Sequence, residues 1–270
     1  MSNSTPSVSI IVPTLNEEKN LPILFKRIKK VMAKLDVPYE IIVIDDNSTD
    51  KSFEISQSFS LYAPLRIGLK KGEQGKSFSI LEGIEHSYGE IICTIDADLQ
   101  YPPEEIAAMY HTLQAEEADV ILTDRASTDI SKLRLLMSRS FNVICVRGLF
   151  GIDYDTQSGL KMFRRQLVED IDLEPSAWSL DLELVVKALE TDHKVLSRKI
   201  SLSKRVYGKA KVKVFKTSLE LFSQSFAVRR KCSIKKVRAG YKRSKQSDNF
   251  VDFLYPDDVV TTNHLYNQHF

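Results

Sequence analysis

Ile91-Ile92-Cys93-Thr94-Ile95-Asp96-Ala97-Asp98-Leu99-Gln100 is an apolar run that ends on two carboxylates. A short apolar run of this kind reads as a buried strand. Asp96 and Asp98 then stand where the strand ends, and in open α/β sheets ligands collect outside the carboxyl ends of the strands. Two carboxylates so close repel each other unless something positive lies between them. A hard divalent cation with oxygen ligands is the usual answer, and such an ion can in turn hold a diphosphate.

The same strand-then-acid pattern occurs twice before it. Residues 8–13 are apolar and lead to Asn16, Glu17 and Glu18; residues 39–44 run into Asp45-Asp46. Asn16 is expected to cap the next helix, with Glu17 and Glu18 near its positive end. That helix carries Leu21, Leu24, Ile28, Val31, Met32 and Leu35 at helical spacing. Asn47-Ser48-Thr49-Asp50 is turn and cap chemistry ahead of a helix reaching Phe59. A third strand is expected at 65–69, a loop at 72–75, a helix at 77–86, a helix starting at Pro102-Pro103 and a fifth strand at 119–123. Strands alternating with helices of roughly 10–15 residues argue for βαβ units and a mostly parallel sheet flanked by helices, an α/β fold. Further on, strands are expected at 159–163 and 195–202 and a helix at 182–189. Leu133, Met137, Phe141 and Ile144 share one helical face, flanked by Arg134 and Arg139; Phe215, Leu219, Phe222 and Phe226 share another. Each face reads either as core packing or as an interfacial helix in a lipid headgroup region. The tail from Gln246 is polar and is expected to be loosely ordered.

Bulk properties narrow the classes. With 270 residues, 43% of them hydrophobic, the chain can build one large α/β domain with an extension. It contains no apolar run of about 18 residues, which argues against a transmembrane helix within it, and its polar N-terminal lead does not resemble a signal peptide. Cys93, Cys145 and Cys232 are widely spaced and follow no metal-ligand pattern, which suits a reducing compartment. None of the five histidines has catalytic or metal spacing, and packing is the expected role of Trp178, the only Trp. The net charge of +2 conceals an asymmetry: residues 194–245 hold 18 Lys and Arg against Glu220, a net +17, and the remainder is −15. So dense a basic segment implies an anionic partner.

Three acid clusters at strand ends converge on one edge of a parallel sheet. Taken alone, Asp45 reads equally as a helix cap or as a ligand group, and Asp96 with Asp98 as a solvated turn or a cation site. Pro13-Thr14-Leu15-Asn16-Glu17, Asp45-Asp46-Asn47-Ser48-Thr49-Asp50 and Asp96-Ala97-Asp98-Leu99-Gln100, in this order and spacing, resemble family 2 inverting glycosyltransferases of the GT-A fold. The nearer likeness is to the polyprenyl-phosphate group, the dolichol-phosphate mannose synthases and undecaprenyl-phosphate sugar transferases. Pro102-Pro103, Ser138-Arg139 with Asn142, Gln157-Ser158-Gly159 with Lys161, and Arg205-x-x-Gly208-x-x-Lys211 extend it over about residues 7–215.

The resemblance implies a Rossmann-like GT-A domain at 1–212; beyond it, the basic amphipathic segment at 213–245 is expected on a membrane surface from its charge and apolar stripe, followed by a polar tail at 246–270. The resemblance also implies a donor site of Pro13, Thr14, Asn16, Glu17, Asp45, Asp46, Lys76, Asp96 and Ala97. Asp96, Asp98 and Gln100 would hold Mg²⁺ or Mn²⁺ against the diphosphate of a GDP- or UDP-linked sugar. Asp98, Arg125, Arg205 and Lys211 would serve catalysis, the three cations by placing positive charge at the phosphates. Ser138 and Arg139 would position the phosphate of a polyprenyl acceptor. The expected place is the cytoplasmic side of a membrane, peripherally, with an anchoring partner or a membrane segment outside the 270 residues as further anchors.

Departures from the pattern bear on the acceptor. Sugar-to-sugar members of family 2 carry a Glu-Asp pair whose Asp is the base; here the region reads Asp181-Leu182-Glu183, which favours a phosphate acceptor over a hydroxyl. The glycine-rich stretch reads Lys70-Lys71-Gly72-Glu73-Gln74-Gly75-Lys76, more charged than the pattern; a loop of this kind can bind phosphate through backbone N–H groups, and a solvated loop is the favoured reading. Ala210 replaces the usual Ser before Lys211. A nucleic-acid-binding protein built on the +17 segment would leave the three acid clusters without a role, so nucleic acid is not an expected partner. A nucleotidyltransferase would place a glycine-rich basic loop after the first strand, where this chain has Pro13-Thr14-Leu15-Asn16-Glu17.

Overall fold

Strand β1 (Val8–Thr14) lies between β2 (Tyr39–Asp45) and β4 (Ile91–Thr94), parallel to both. β3 (Leu65–Leu69) adds in parallel outside β2. On the other side β6 (Lys161–Arg164) runs antiparallel between β4 and β5 (Val120–Ser127), and β7 (Val195–Ser201) closes that edge parallel to β5. The order is β3-β2-β1-β4-β6-β5-β7. These elements come from a computed structural model that describes residues 5–127, 140–208 and 214–254.

Register brings the acids together. Thr14 pairs with Asp45 and Ile11 with Thr94, so β1, β2 and β4 end at one edge of the sheet. Because β6 is antiparallel to both β4 and β5, the end of β5 and the start of β6 reach that same edge. Helices α1 (Leu21–Leu35), α2 (Ser52–Ser60), α3 (Lys76–Glu85), α4 (Glu105–Ala115), α5 (Asn142–Phe150), α6 (Arg165–Asp170) and α7 (Leu180–Glu190) fill the connections. The period-2 alternation of a strand sends Ile10 and Val12 to a core shared with α1 and α4, and Ile11 to one shared with α3, α5 and α7. Ile10 and Ile11 are fully buried; burying a side chain of this size contributes about 1.5–3 kcal/mol.

Three expectations are corrected. Asn16 does not cap α1. Its backbone is left-handed at φ 52°, its side-chain oxygen accepts from the Thr49 amide at 2.7 Å, and Asn20 precedes the helix without a side-chain cap. A turn of three residues, Glu18 to Asn20, separates Glu17 from Leu21, so the helix begins too late for Asn16 to reach its amides. In α5 the expected stripe slips. The helix is wound in π form, and its buried residues are Cys145, Val146 and Phe150, following buried Phe141, whereas Ile144 is half exposed. The i→i+5 winding lengthens the repeat, so the 3.6-residue period selects the wrong neighbour. Leu133, Arg134 and Met137 of that stripe lie outside the described residues.

The third correction concerns the tail from Gln246, whereas the stripe of the helix before it, α8 (Val214–Lys231), divides between the two readings given for it. The buried positions of α8 are Ser225 and Val228, with Leu221 and Phe222 partly covered, whereas Leu219 and Phe226 are 66% and 49% exposed. Phe222 meets Phe141 edge-on at 5.8 Å, which ties α8 to the segment leading into α5. α9 (Ile234–Leu254) packs on α7 and β7; Val237 is fully buried and Ser244 Oγ accepts from the Val195 amide at 3.0 Å. Gln246 thus falls inside α9, and residues 255–270 lie outside the described set. Among the described residues no helix is long and apolar enough to cross a membrane.

Candidate active site

The β1 and β2 ends are stitched into one surface. The Asn16 amide donates to Ser48 Oγ at 2.8 Å, the Glu17 amide to Ser52 Oγ at 2.7 Å, and the Asp46 amide to the Thr14 carbonyl at 2.8 Å. Thr14 is buried with its hydroxyl on the Val12 carbonyl, and Pro13 stands opposite Ile44 in the ladder. Asp45 is fully buried. One of its oxygens accepts from the Ser48 amide at 2.7 Å, and Oδ2 has no hydrogen-bond partner among the described residues; the same holds for Asn20 Oδ1. Buried acceptors left unpaired are costly, and they mark an edge suited to a ligand with N–H or O–H donors.

Asp46 is claimed by the loop read as solvated. Buried Lys70 places Nζ 2.9 Å from Asp46 Oδ1 and 2.9 Å from the Gly75 carbonyl, and the Gly75 amide donates to Asp46 Oδ2 at 3.0 Å. Gly75 adopts φ +143°, a conformation L side chains rarely take, and a Cβ there would lie 2.5 Å from Ala177 Cβ. Two lysines in a charged loop gave the sequence no means of saying which one turns inward.

Asp98 and Asp96 stand together at the end of β4. Arg205, on the loop after β7, donates to Asp98 Oδ2 at 2.5 Å and comes within 3.8 Å of Glu17 Oε1. The Gln100 amide donates to Asp98 Oδ1 at 3.0 Å, while the Gln100 carbonyl accepts from Ser203. Burial pushes the Asp98 carboxyl above its ordinary value; neighbouring Asp96 and Glu17 push the same way, against the pull of Arg205 and the Gln100 amide. Ala97 is buried in the core and turns the two carboxylates out around it. Among the described residues no three His, Cys, Asp or Glu side chains gather into a metal cage. A pair of hard oxygen donors with surplus negative charge fits an ion held jointly with substrate phosphates, the manner of Mg²⁺ and its relatives.

Lys76, the first residue of α3, lies 2.7 Å from Asp96 Oδ1 and 3.8 Å from Asp181 Oδ2. Lys161, at the start of β6, is almost fully buried and donates to Asp181 Oδ1 at 2.9 Å and to the Ser158 carbonyl. Burial alone would raise the Asp181 carboxyl, but Lys161 and Lys76 outweigh it and hold it below the ordinary range. The two lysines shift oppositely for a physical reason: burial prevails at Lys161 and lowers it, whereas at Lys76 two carboxylates overcome burial and raise it. A Lys inside the apolar stretch 159–163 was the available signal, since lysines are almost never fully buried unless paired. Arg125 grips Asp155 in a two-pronged pair, with Nη2 to Oδ1 at 2.8 Å, which ties it to the 155–159 turn, and its charge also helps hold the Asp181 carboxyl low. Gly159 of that turn presses on Asp96: a Cβ there would lie 2.1 Å from Asp96 Oδ2. Lys211, Ser138 and Arg139 lie outside the described residues.

Comparison with known proteins bears on the family and the fold. The family model Glycosyl transferase family 2 matches residues 9–172. A dolichol-phosphate mannosyltransferase of Pyrococcus furiosus is 29% identical over 218 residues, covering 76% of this chain and 59% of that protein. An undecaprenyl-phosphate 4-deoxy-4-formamido-L-arabinose transferase of Pectobacterium carotovorum is 32% identical over 170 residues, covering 62% and 52%. The chain thus spans about half to three-fifths of the length of the curated relatives it matches. Glucosyl-3-phosphoglycerate synthase of Mycobacterium tuberculosis, solved with Mn²⁺, uridine-diphosphate-glucose and phosphoglyceric acid, superposes with a TM-score of 0.68 at 16% identity, covering 83% of this chain and 80% of that one. Its likeness lies in the fold, a GT-A sheet flanked by helices.

Proposed function

Because the chain belongs to glycosyl transferase family 2, we propose that it moves a hexose from a nucleoside-diphosphate sugar to a polyprenyl phosphate, with inversion at the anomeric carbon. The names of its relatives support the acceptor class, and the solved neighbour supports a nucleotide sugar as donor. The observation that carries the acceptor choice is Asp181. In sugar-to-sugar members the carboxylate of this region takes a proton from an acceptor hydroxyl. Here Asp181 is clamped by Lys161 at 2.9 Å, with Lys76 close by, and both hold its carboxyl below the ordinary range. Glu183 is no substitute: it is buried, paired with Lys187 at 2.9 Å, and accepts from the Glu174 amide. A phosphate oxygen arrives already charged and needs no base.

Asn16, Glu17, Asp45 and Asp46 form the nucleotide edge of this reading. Asp96 and Asp98 would hold Mg²⁺ or Mn²⁺, which when bound offsets the charge that develops on the departing nucleoside diphosphate. Arg205 sits against Asp98 and Glu17, poised to meet donor phosphate from the sheet side. Ser138, Arg139 and Lys211 are assigned to the phosphates by the sequence motifs alone. The half-exposed Val143, Ile144, Leu219 and Phe226, beside the basic run Arg229-Arg230-Lys231, support peripheral contact with an anionic membrane leaflet.

The test is a panel of UDP- and GDP-sugars offered with a short-chain polyprenyl phosphate, with and without chelator. Chelator-sensitive transfer to the lipid is expected from one of them, and Asp98→Ala should abolish it while leaving the melting curve in place. Transfer only to a glycan hydroxyl would replace this reading by the hydroxyl-acceptor one, and no transfer to any lipid phosphate would reject it.

A further inference from the structure

Resting on the metal reading above, we propose that Lys76 is a resident counter-ion that a divalent cation must displace from Asp96, and that Asp181 receives the displaced ammonium. The geometry has three fixed points and one movable stem. Asp96 is fixed because its Oδ2 is packed on Gly159, where even a Cβ would come within 2.1 Å, so Oδ1 is the oxygen that Lys76 holds at 2.7 Å. Asp181 is fixed because its Oδ1 is bound to buried Lys161 at 2.9 Å, leaving Oδ2 facing Lys76 at 3.8 Å. The backbone at Lys76 is fixed too. The Ser77 amide donates to the Ala177 carbonyl at 2.9 Å, and Ser77 Oγ accepts from the Leu180 amide at 3.2 Å, locking the start of α3 to the start of α7. Between these points lies the flexible four-carbon stem of a lysine, whose ammonium needs only a short swing to exchange one carboxylate for the other.

Charge makes the exchange conditional. Asp96, Asp98, Asp181, Glu17 and Asp155 face Lys76, Lys161, Arg205 and Arg125, an excess of one negative charge. A divalent cation arriving alone reverses that sign and sets its charge directly against the Lys76 ammonium. A cation arriving with a diphosphate brings the compensating charge with it. Lys76 therefore makes cation and nucleotide bind as a pair, each raising the affinity of the other by the same factor. It also keeps the carboxylate pair neutralised, so that a bare ion has little to gain by entering.

The experiment is a titration of the full chain with Mn²⁺, read as loss of the paramagnetic resonance signal of free Mn²⁺, without nucleotide and with UDP or GDP. The Mn²⁺–nucleotide complex formed in buffer is subtracted. Wild type is expected to bind Mn²⁺ alone weakly and at least ~10-fold more tightly with the fitting nucleotide. Lys76→Met should bind Mn²⁺ alone at least ~10-fold more tightly than wild type, whereas Lys76→Arg, which keeps the charge, should resemble wild type. Lys76→Gln serves as a second neutral variant should Lys76→Met fold poorly. If neutral variants that melt normally bind Mn²⁺ no more tightly than wild type while nucleotide still recruits Mn²⁺, the counter-ion role is overturned and the metal reading stands. If neither nucleotide recruits Mn²⁺ to any of these proteins, both fall.

Discussion

Asp181 is the residue where an acceptor reading and a stability reading make different forecasts. As a clamped counter-charge to buried Lys161, its replacement by Asn strands an ammonium in the core, and breaking such a pair costs about 3–5 kcal/mol. Denaturant unfolding of Asp181→Asn at pH 7 should register that loss. The sign with pH follows from its carboxyl being held low in the fold. A depressed carboxyl stabilises at pH above its unfolded value of about 3.9 and loses the contribution as pH falls through the lower folded value. The gap between wild type and Asp181→Asn should therefore hold from pH 7 down to about pH 4 and narrow as the pH falls further; a gap that does not narrow in acid would mean the loss comes from packing. Gly159 gives a second forecast. Gly159→Ala pushes a methyl into Asp96 Oδ2, so transfer should drop by ~100-fold or more, since misplacement by about 1 Å costs that much, while the sheet pairing that begins at Lys161 survives. A normal circular dichroism spectrum with lost transfer is the expected pair of readings. At this scale the acids were legible in the sequence because each sits where a strand runs out. Their cations were not. Nothing local to Lys70, Lys76 or Lys161 states that the first reaches Asp46, the second Asp96 and the third Asp181, because those pairings are closed by loops that return from distant strands.

Periodicity located nearly every strand and helix of the first half to within a residue or two, since β1 to β4 are apolar runs broken by turn residues and the helices between them have one clear apolar stripe. It misjudged faces where the winding or the packing partner departs from the simple case. In α5 the π form moves burial from Ile144 to Cys145 and Val146. In α8 the stripe divides: Phe222 is partly covered beside buried Ser225 and Val228, whereas Leu219 and Phe226 face outward. A helix that packs Leu221, Phe222 and Val228 inward yet leaves Leu219 and Phe226 in solvent presents a surface with something left to cover. Leu219→Ser with Phe226→Ser should leave the melting temperature within about 2 °C of wild type, since little buried area is lost, yet weaken sedimentation with vesicles containing phosphatidylserine. Val228→Ala, on the other face, should destabilise by about 1–2 kcal/mol and leave vesicle binding alone. If the double variant binds vesicles as wild type does, the membrane face lies elsewhere.

Across the whole molecule, the sheet order puts a single antiparallel strand, β6, between two parallel sets, and that reversal builds the site. It brings the turn 155–159 and Lys161 to the edge where β1, β2 and β4 deliver carboxylates. The sequence signalled strands at 119–123 and 159–163 but not their direction, because residue period does not encode orientation. The charge asymmetry has the same division: an acidic body that gathers Glu17, Asp46, Asp96 and Asp98 at one edge, and a basic C-terminal segment folded back on it through α9. An acidic edge repels a nucleoside diphosphate unless a cation mediates, so ligand stabilisation of the whole domain should require both components together. At 100 times its dissociation constant a ligand adds about 2.7 kcal/mol to the folded state. For a chain of this size each kcal/mol moves the melting temperature by about 2–4 °C. A thermal-shift series of UDP, GDP, ADP and CDP, each with and without Mn²⁺, should therefore give a rise of several degrees for one nucleotide, and only with Mn²⁺ present. A rise that is the same without Mn²⁺ would show the diphosphate held by Arg205 and lysines directly, and would remove the cation from the donor site.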